Sequence, residues 1–214
     1  RGNRVVGLLL EARADVALGT GSETTALHFA CAVGDEENVQ LLLKAGADPN
    51  WVGEHGPALS YAVQTPTDIC HRIGAHLVAA GADVDLRPPA WNGRTSLMHW
   101  CKFGGEAPRK VENLLHFRAD PNVQDADGMT ALHIAAGKGS KPLVQLLLDA
   151  GADKRAKNRQ GESVLFYASS DVIKELLIWP LFPEMQEACA AGDLPAVQRL
   201  FLNGQPEDMV NGAQ

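Results

Sequence analysis

A chain of 214 residues, 45% hydrophobic and 21% charged, carries enough apolar material for one or two soluble cores. Its formal net charge of −7 argues against a nucleic-acid partner, which calls for a basic face. The apolar runs at 5–10 and 176–182 are too short to cross a bilayer, and residues 1–4 precede no stretch resembling a secretory signal.

Taken in chain order, the predicted elements are pairs of helices. Residues 5–10 read as a helix, closed by Ala12-Arg13-Ala14-Asp15, with no partner helix before it. Residues 21–52 hold a full unit. Thr25 stands where its hydroxyl can cap a helix start, and Leu27 and Ala30 share one helical face. Val39 to Leu43 supplies a second helix, and Gly46 follows where a left-handed residue ends it. Residues 53–86 repeat this with Pro57-Ala58-Leu59-Ser60, a longer inter-helix stretch around Thr65 to Asp68, and Cys70 in an irregular segment. A unit at 87–122 opens on Thr95-Ser96-Leu97, and one at 123–155 opens on Thr130-Ala131-Leu132-His133. From residue 156 a shortened unit runs from Ser163–Ala168 almost directly into Val172–Leu177. An apolar, proline-rich connector at 178–183 follows, then a further helix pair and the start of another within 184–214.

The register recurs. Thr95 and Thr130 stand 35 residues apart, and Thr25 and Thr95 stand 70 apart, twice that step. Such self-similarity specifies a solenoid. Thr25-Ala26-Leu27-His28 with Gly46-Ala47-Asp48-Pro49-Asn50, and Thr130-Ala131-Leu132-His133 with Gly151-Ala152-Asp153, resemble the ankyrin repeat. The resemblance implies an all-α solenoid of helix pairs with hairpin-like connections, in about six to seven repeats, some degenerate. The array proper covers 1–177, with 178–183 and 184–214 following as above. Residues 211–214 read as the end of a first helix and residues 1–12 as the second helix due after it. The chain is therefore expected to be an excerpt, or a reordering, of a longer array.

No chemistry-bearing motif interrupts this pattern. Neither a G-x-S-x-G elbow, a phosphate-binding loop nor H-E-x-x-H occurs, so no catalytic residue, cofactor or metal is expected. His28 with Cys31, His99 with Cys101, and Cys70-His71 with His76 lack the paired spacing of a zinc site. Cys31, Cys101 and Cys189 share one small-residue slot and read as reduced, buried thiols, as expected inside the cell, in the cytoplasm. Lys154, Arg155, Lys157 and Arg159 read as a solvated face.

The ankyrin resemblance further implies that a protein partner docks on hairpin tips and the open side of each first helix. Carried onto this sequence, those positions give Trp91, Asn92, Arg94, Lys102 and Phe103 in the fourth repeat. Trp51 and His55 extend the ridge in the third repeat, and Met129 and Lys138 in the fifth. The expected function is a non-enzymatic adaptor or scaffold. A structural subunit of a permanent assembly, or a regulatory segment of a larger enzyme, is the alternative. Ile178, Trp179, Leu181 and Phe182 form a possible second interface. In the fourth repeat His99 is displaced by one position, with Met98 in the usual slot and Trp100 where a small alanine belongs. In the resemblance, His28 and His133 fix the hairpins, and Asn50 and Asn122 occupy positions where such hairpins accept asparagine hydroxylation.

Overall fold

Short helices with one apolar stripe have to be covered by neighbours, and this chain covers each with the next repeat. A computed structural model describes residues 2–103 and 107–178. The helices are α1 (Gly2–Glu11), α2 (Ala26–Val33), α3 (Glu36–Lys44), α4 (Ala58–Ala62), α5 (Thr67–Ala79) and α6 (Ser96–Cys101). They continue as α7 (Ala107–His116), α8 (Ala131–Lys138), α9 (Lys141–Asp149), α10 (Val164–Tyr167) and α11 (Asp171–Ile178). The even-numbered helices form one layer and the odd-numbered helices a second, packed along its back. The result is an all-α solenoid.

The core repeats with the sequence. Leu27, Leu59, Leu97 and Leu132 are sealed on the first helices, and Leu42, Leu77, Leu114, Leu147 and Leu177 on the second. Burying each such leucine contributes about 1.5–3 kcal/mol, so every repeat boundary carries its own share of stability. Two hairpin-like connections pair through isolated bridges, Gly19 with Thr25 and Lys157 with Ser163. Between them in sequence, β1 (Val52–Gly53) and β2 (Gly56–Pro57) form a two-stranded antiparallel sheet.

One expectation needs correction. Cys70 does not lie in an irregular segment: it sits in α5, a 13-residue helix, and is fully buried. The inter-helix stretch, 63–66, is longer than its two-residue counterparts at 34–35 and 139–140, as expected, and ends at Pro66, the N-cap of α5. The threonines also act through the histidine ring. The Thr25 N–H donates to His28 Nδ1 at 3.1 Å, and the Thr25 hydroxyl lies 2.9 Å from the same nitrogen. With Nδ1 accepting, Nε2 carries the proton and donates to Trp51 O at 3.0 Å, which ties the helix start to the next hairpin. His133 repeats the contacts to Thr130. Thr95, with Met98 three residues on instead of histidine, caps the backbone N–H of Met98 at 3.4 Å. Cys31 and Cys101 are free and buried, their thiols pushed up to about 12 by burial. Cys189, the connector beyond Ile178 and the helix pair of 184–214 lie outside the described residues, as do residues 211–214.

Successive hairpins are stapled by side chains. Asn50 Nδ2 donates to Gly81 O at 2.9 Å while its Oδ1 accepts from Asp83 N at 2.7 Å. Asn122 does the same to Gly151 O (3.1 Å) and Asp153 N (2.7 Å). Between these two staples Asp85 holds the slot. Its two oxygens accept from Asp120 N at 3.1 Å, but an ionised carboxylate has no hydrogen for the Arg118 carbonyl. Arg118 also takes φ of 64°, where Gly46, Gly81 and Gly151 take 86–91°. A side chain there is strained. Burial, ahead of the neighbouring Asp120 and Asp83 charges, raises the Asp85 pKa above its ordinary value.

The junction of the third and fourth repeats is therefore the weakest of these three staples. We expect Asp85→Asn to stabilise the array by on the order of 1 kcal/mol, raising Tm by about 2–4 °C at pH 7. The sign follows from the raised pKa: ionised Asp85 is disfavoured in the folded state. The asparagine's advantage is thus full above the folded pKa and shrinks as pH falls through the carboxylate range. Thermal melts of both proteins between pH 7 and 4 check this; an unchanged or lowered Tm at pH 7 refutes it.

Candidate protein-binding ridge

The fourth repeat departs from its neighbours by placing rings where they carry small residues. A short 3-10 turn, Pro89–Trp91, ends on Asn92 in the left-handed conformation and delivers the Trp91 indole towards α6. The indole stacks on His99 with ring centres 4.3 Å apart and planes 15° from parallel. Its far edge covers Gly56 at the start of β2, and a Cβ there would collide with it. His99 also touches Phe103 (5.1 Å) and stands edge-on to Trp100 (5.4 Å). Trp100 is buried, with the Lys110 ammonium 4.1 Å over its ring. The outcome is a step of rings from the third-repeat hairpin to the end of α6, with Phe103 49% exposed at its edge.

The electrostatics favour a neutral His99. Burial, then Lys102, His55 and Arg94, hold its pKa below the ordinary histidine value. A neutral imidazole stacks on indole without a desolvated charge.

The other expected residues divide into those that hold the ridge and those that face out. Arg94 Nε donates to Asp125 Oδ2 at 2.9 Å, and the Asp125 side chain is wholly buried. Asp125 Oδ1 accepts from the Asp127 and Met129 amides, both at 2.9 Å, so this pair clamps the fourth hairpin to the fifth. Asn92 Nδ2 donates to Asp127 Oδ2 at 2.7 Å, and Asn92 O accepts from Ala126 N at 3.0 Å. Arg94 and Asn92 are thus built into the hairpins. Met129 is half-buried, its sulfur accepting from Asn158 Nδ2 at 3.7 Å. Lys102 and Lys138, at the ends of α6 and α8, are exposed. Trp51 is 39% exposed, and its indole N–H donates to Glu23 O at 3.0 Å. His55 is exposed beside Tyr61, with ring centres 5.8 Å apart.

Sequence reasoning named Trp91 and Phe103 but not the ring between them. The displaced His99 was the available signal: a histidine one place late no longer reaches its threonine. Asp125 was missed because nothing in its local sequence marks a buried ion pair. Asn50 and Asn122 stand at the staples described above, on the hairpin edge. Ile178 ends α11, while Trp179, Leu181 and Phe182 lie outside the described residues. Among the described residues no group of three or more His, Cys, Asp or Glu side chains could hold a metal ion. No described helix is long and apolar enough to cross a membrane.

Comparison with known proteins agrees with this architecture. The family description "Ankyrin repeats (3 copies)" matches residues 97–180, and "Ankyrin repeat" matches 22–54. The chain is similar to the nuclear factor NF-kappa-B p105 subunit of Gallus gallus, 35% identical over 72% of this chain and 16% of that protein. It is 35% identical to a putative ankyrin repeat-containing protein of Treponema pallidum over 63% of this chain and 44% of that protein. A third relative is the palmitoyltransferase AKR1 of Lachancea kluyveri, 32% identical over 74% of this chain and 21% of that protein. The chain thus spans less than half the length of each of these relatives.

Removing the cation from a buried pair strands the carboxylate. Arg94→Met is expected to destabilise the protein by about 2–4 kcal/mol, discounted for the partly exposed guanidinium, with Arg94→Lys recovering part of the loss. The urea unfolding midpoint measures it; a change under about 0.5 kcal/mol would show that Asp125 does not depend on Arg94.

Proposed function

The chain belongs to the ankyrin-repeat family, and on that premise we propose that it is a non-enzymatic adaptor that holds a protein partner on the ridge of its third to fifth repeats. Ankyrin repeats are protein–protein interaction modules. The observation that carries the reading is the stacked step of Trp91, His99 and Phe103, half open to solvent and braced from behind by Trp100 and the Gly56 backbone. Rings fixed before binding lose little conformational entropy when a partner covers them, and aromatic anchors dominate interface energetics. Free, buried thiols at Cys31, Cys70 and Cys101 support a reducing, intracellular setting.

A second reading is a docking or regulatory segment within a longer protein. It draws on the small share of the relatives that the chain spans, 16% of p105 and 21% of the palmitoyltransferase. Both readings use the same ridge.

The test is a quantitative pull-down from native extract, comparing the wild type with a Trp91→Ala, Lys102→Ala, Phe103→Ala variant. Arg94 is spared because it holds Asp125. With an unchanged circular-dichroism melt, partners lost by at least about tenfold support the ridge. Partners retained in full move the interface elsewhere on the array.

A further inference from the structure

The ridge has a charge character that the chain as a whole conceals. At neutral pH the protein is acidic, with a net charge of −7. The carboxylates on the ridge from the fourth repeat onward nonetheless accept hydrogen bonds from within the array, and one of them is paired with a cation. Asp125 pairs with Arg94, Asp127 accepts from Asn92, and Glu162 accepts from Tyr167 (2.5 Å) and Asn158 (2.7 Å). Two of its cations are not so paired. Among the described residues Lys102 and Lys138 have no carboxylate partner, and both stand exposed at the ends of neighbouring first helices. Lys102 directly precedes Phe103 and helps to keep His99 neutral. Glu54 is the one ridge carboxylate without a side-chain bond among those described, and it lies a repeat away on the β1–β2 turn.

Building on the adaptor reading, we propose that the ridge takes an acidic, extended segment of its protein partner, with an apolar side chain seated against Phe103 and the Trp91–His99 stack and carboxylates meeting Lys102 and Lys138. First helices of adjacent repeats lie about 10 Å apart, a span that two or three extended residues cross. An apolar anchor flanked by carboxylates therefore reaches both lysines at once. The rings discriminate against a purely ionic ligand, and the lysines discriminate against a basic or neutral one. A nucleic-acid strand fits less well, because two lysines give no continuous phosphate track along this surface.

Fluorescence anisotropy with labelled peptides tests this directly. The probes are an eight-residue peptide of aspartate and glutamate with one central phenylalanine, and the same peptide with every acid replaced by lysine. We expect the acidic peptide to bind and the lysine peptide not to. Raising salt from about 50 to 300 mM should weaken the acidic complex severalfold. Lys102→Glu with Lys138→Glu, two exposed positions, should cost at least about tenfold while leaving the melt unchanged, and Phe103→Ala should cost a similar factor. Undetectable binding of the acidic peptide, equal binding of both peptides, affinity untouched by the lysine reversal, or displacement by an oligouridine strand each overturn the proposal. If the acidic peptide fails while the ring-and-lysine variant still sheds its extract partners, the charge inference falls and the adaptor reading stands. If the variant keeps its partners and the peptide fails, both fall.

Discussion

Everything in this molecule depends on the contact between one repeat and the next. Helices of four to 13 residues, as these are, do not persist alone in water, where fewer than about 12–15 residues give marginal helicity. Each is stable only because a neighbour covers its leucine face, and each hairpin is held because a side chain reaches forward to the following one. Stability is therefore distributed along the array as a series of junctions, and the fold is only as continuous as its weakest junction.

That view gives the fourth repeat its meaning. On its near side the asparagine staple is replaced by Asp85, the glycine of the hairpin by Arg118, and α4 meets α6 through only a thin contact closed by Ser60 and Ser96. On its far side Arg94 pairs with Asp125, whose side chain is wholly buried. The repeat is loosely joined behind and firmly joined ahead. The Trp91 indole crosses the loose junction to lie on Gly56, so the ring step is also the cover for that joint. Phe117 does the same on the second layer, where its ring packs against Gly74 of α5. Two aromatic side chains, one on each layer, stand where the polar staple is weak.

Much of this was legible in the chain, and the parts that were not have physical causes. The threonine, leucine and glycine register located nearly every helix, because caps, apolar spacing and left-handed ends are local properties. The sequence marked the fourth repeat as irregular through His99 and Trp100. It did not show that Trp91, His99 and Phe103 share one stack, since stacking depends on rotamers set by residues two helices away. It placed Arg94 and Asn92 among the outward-facing positions, because periodicity reports which way a backbone slot points. Whether a buried carboxylate 31 residues later will capture the guanidinium is a tertiary question. Cys70 was misplaced for a related reason: a proline between two threonines suggests a loop, whereas Pro66 there marks a helix start.

The weak junction and the ridge are consistent with a single requirement. A binding surface gains from rings that are open to solvent, and open rings cost stability that regular repeats recover with alanine. In repeats two and five the corresponding slots hold Ala30 and Ala135, both buried and closely packed. In repeat four the slot holds Trp100, which props His99 and Phe103 outward and is itself balanced by Lys110. The departure from the repeat pattern is thus not spread at random over the chain. It is concentrated where it raises a fixed aromatic edge above the ridge, and the Arg94–Asp125 clamp joins that repeat's hairpin to the next.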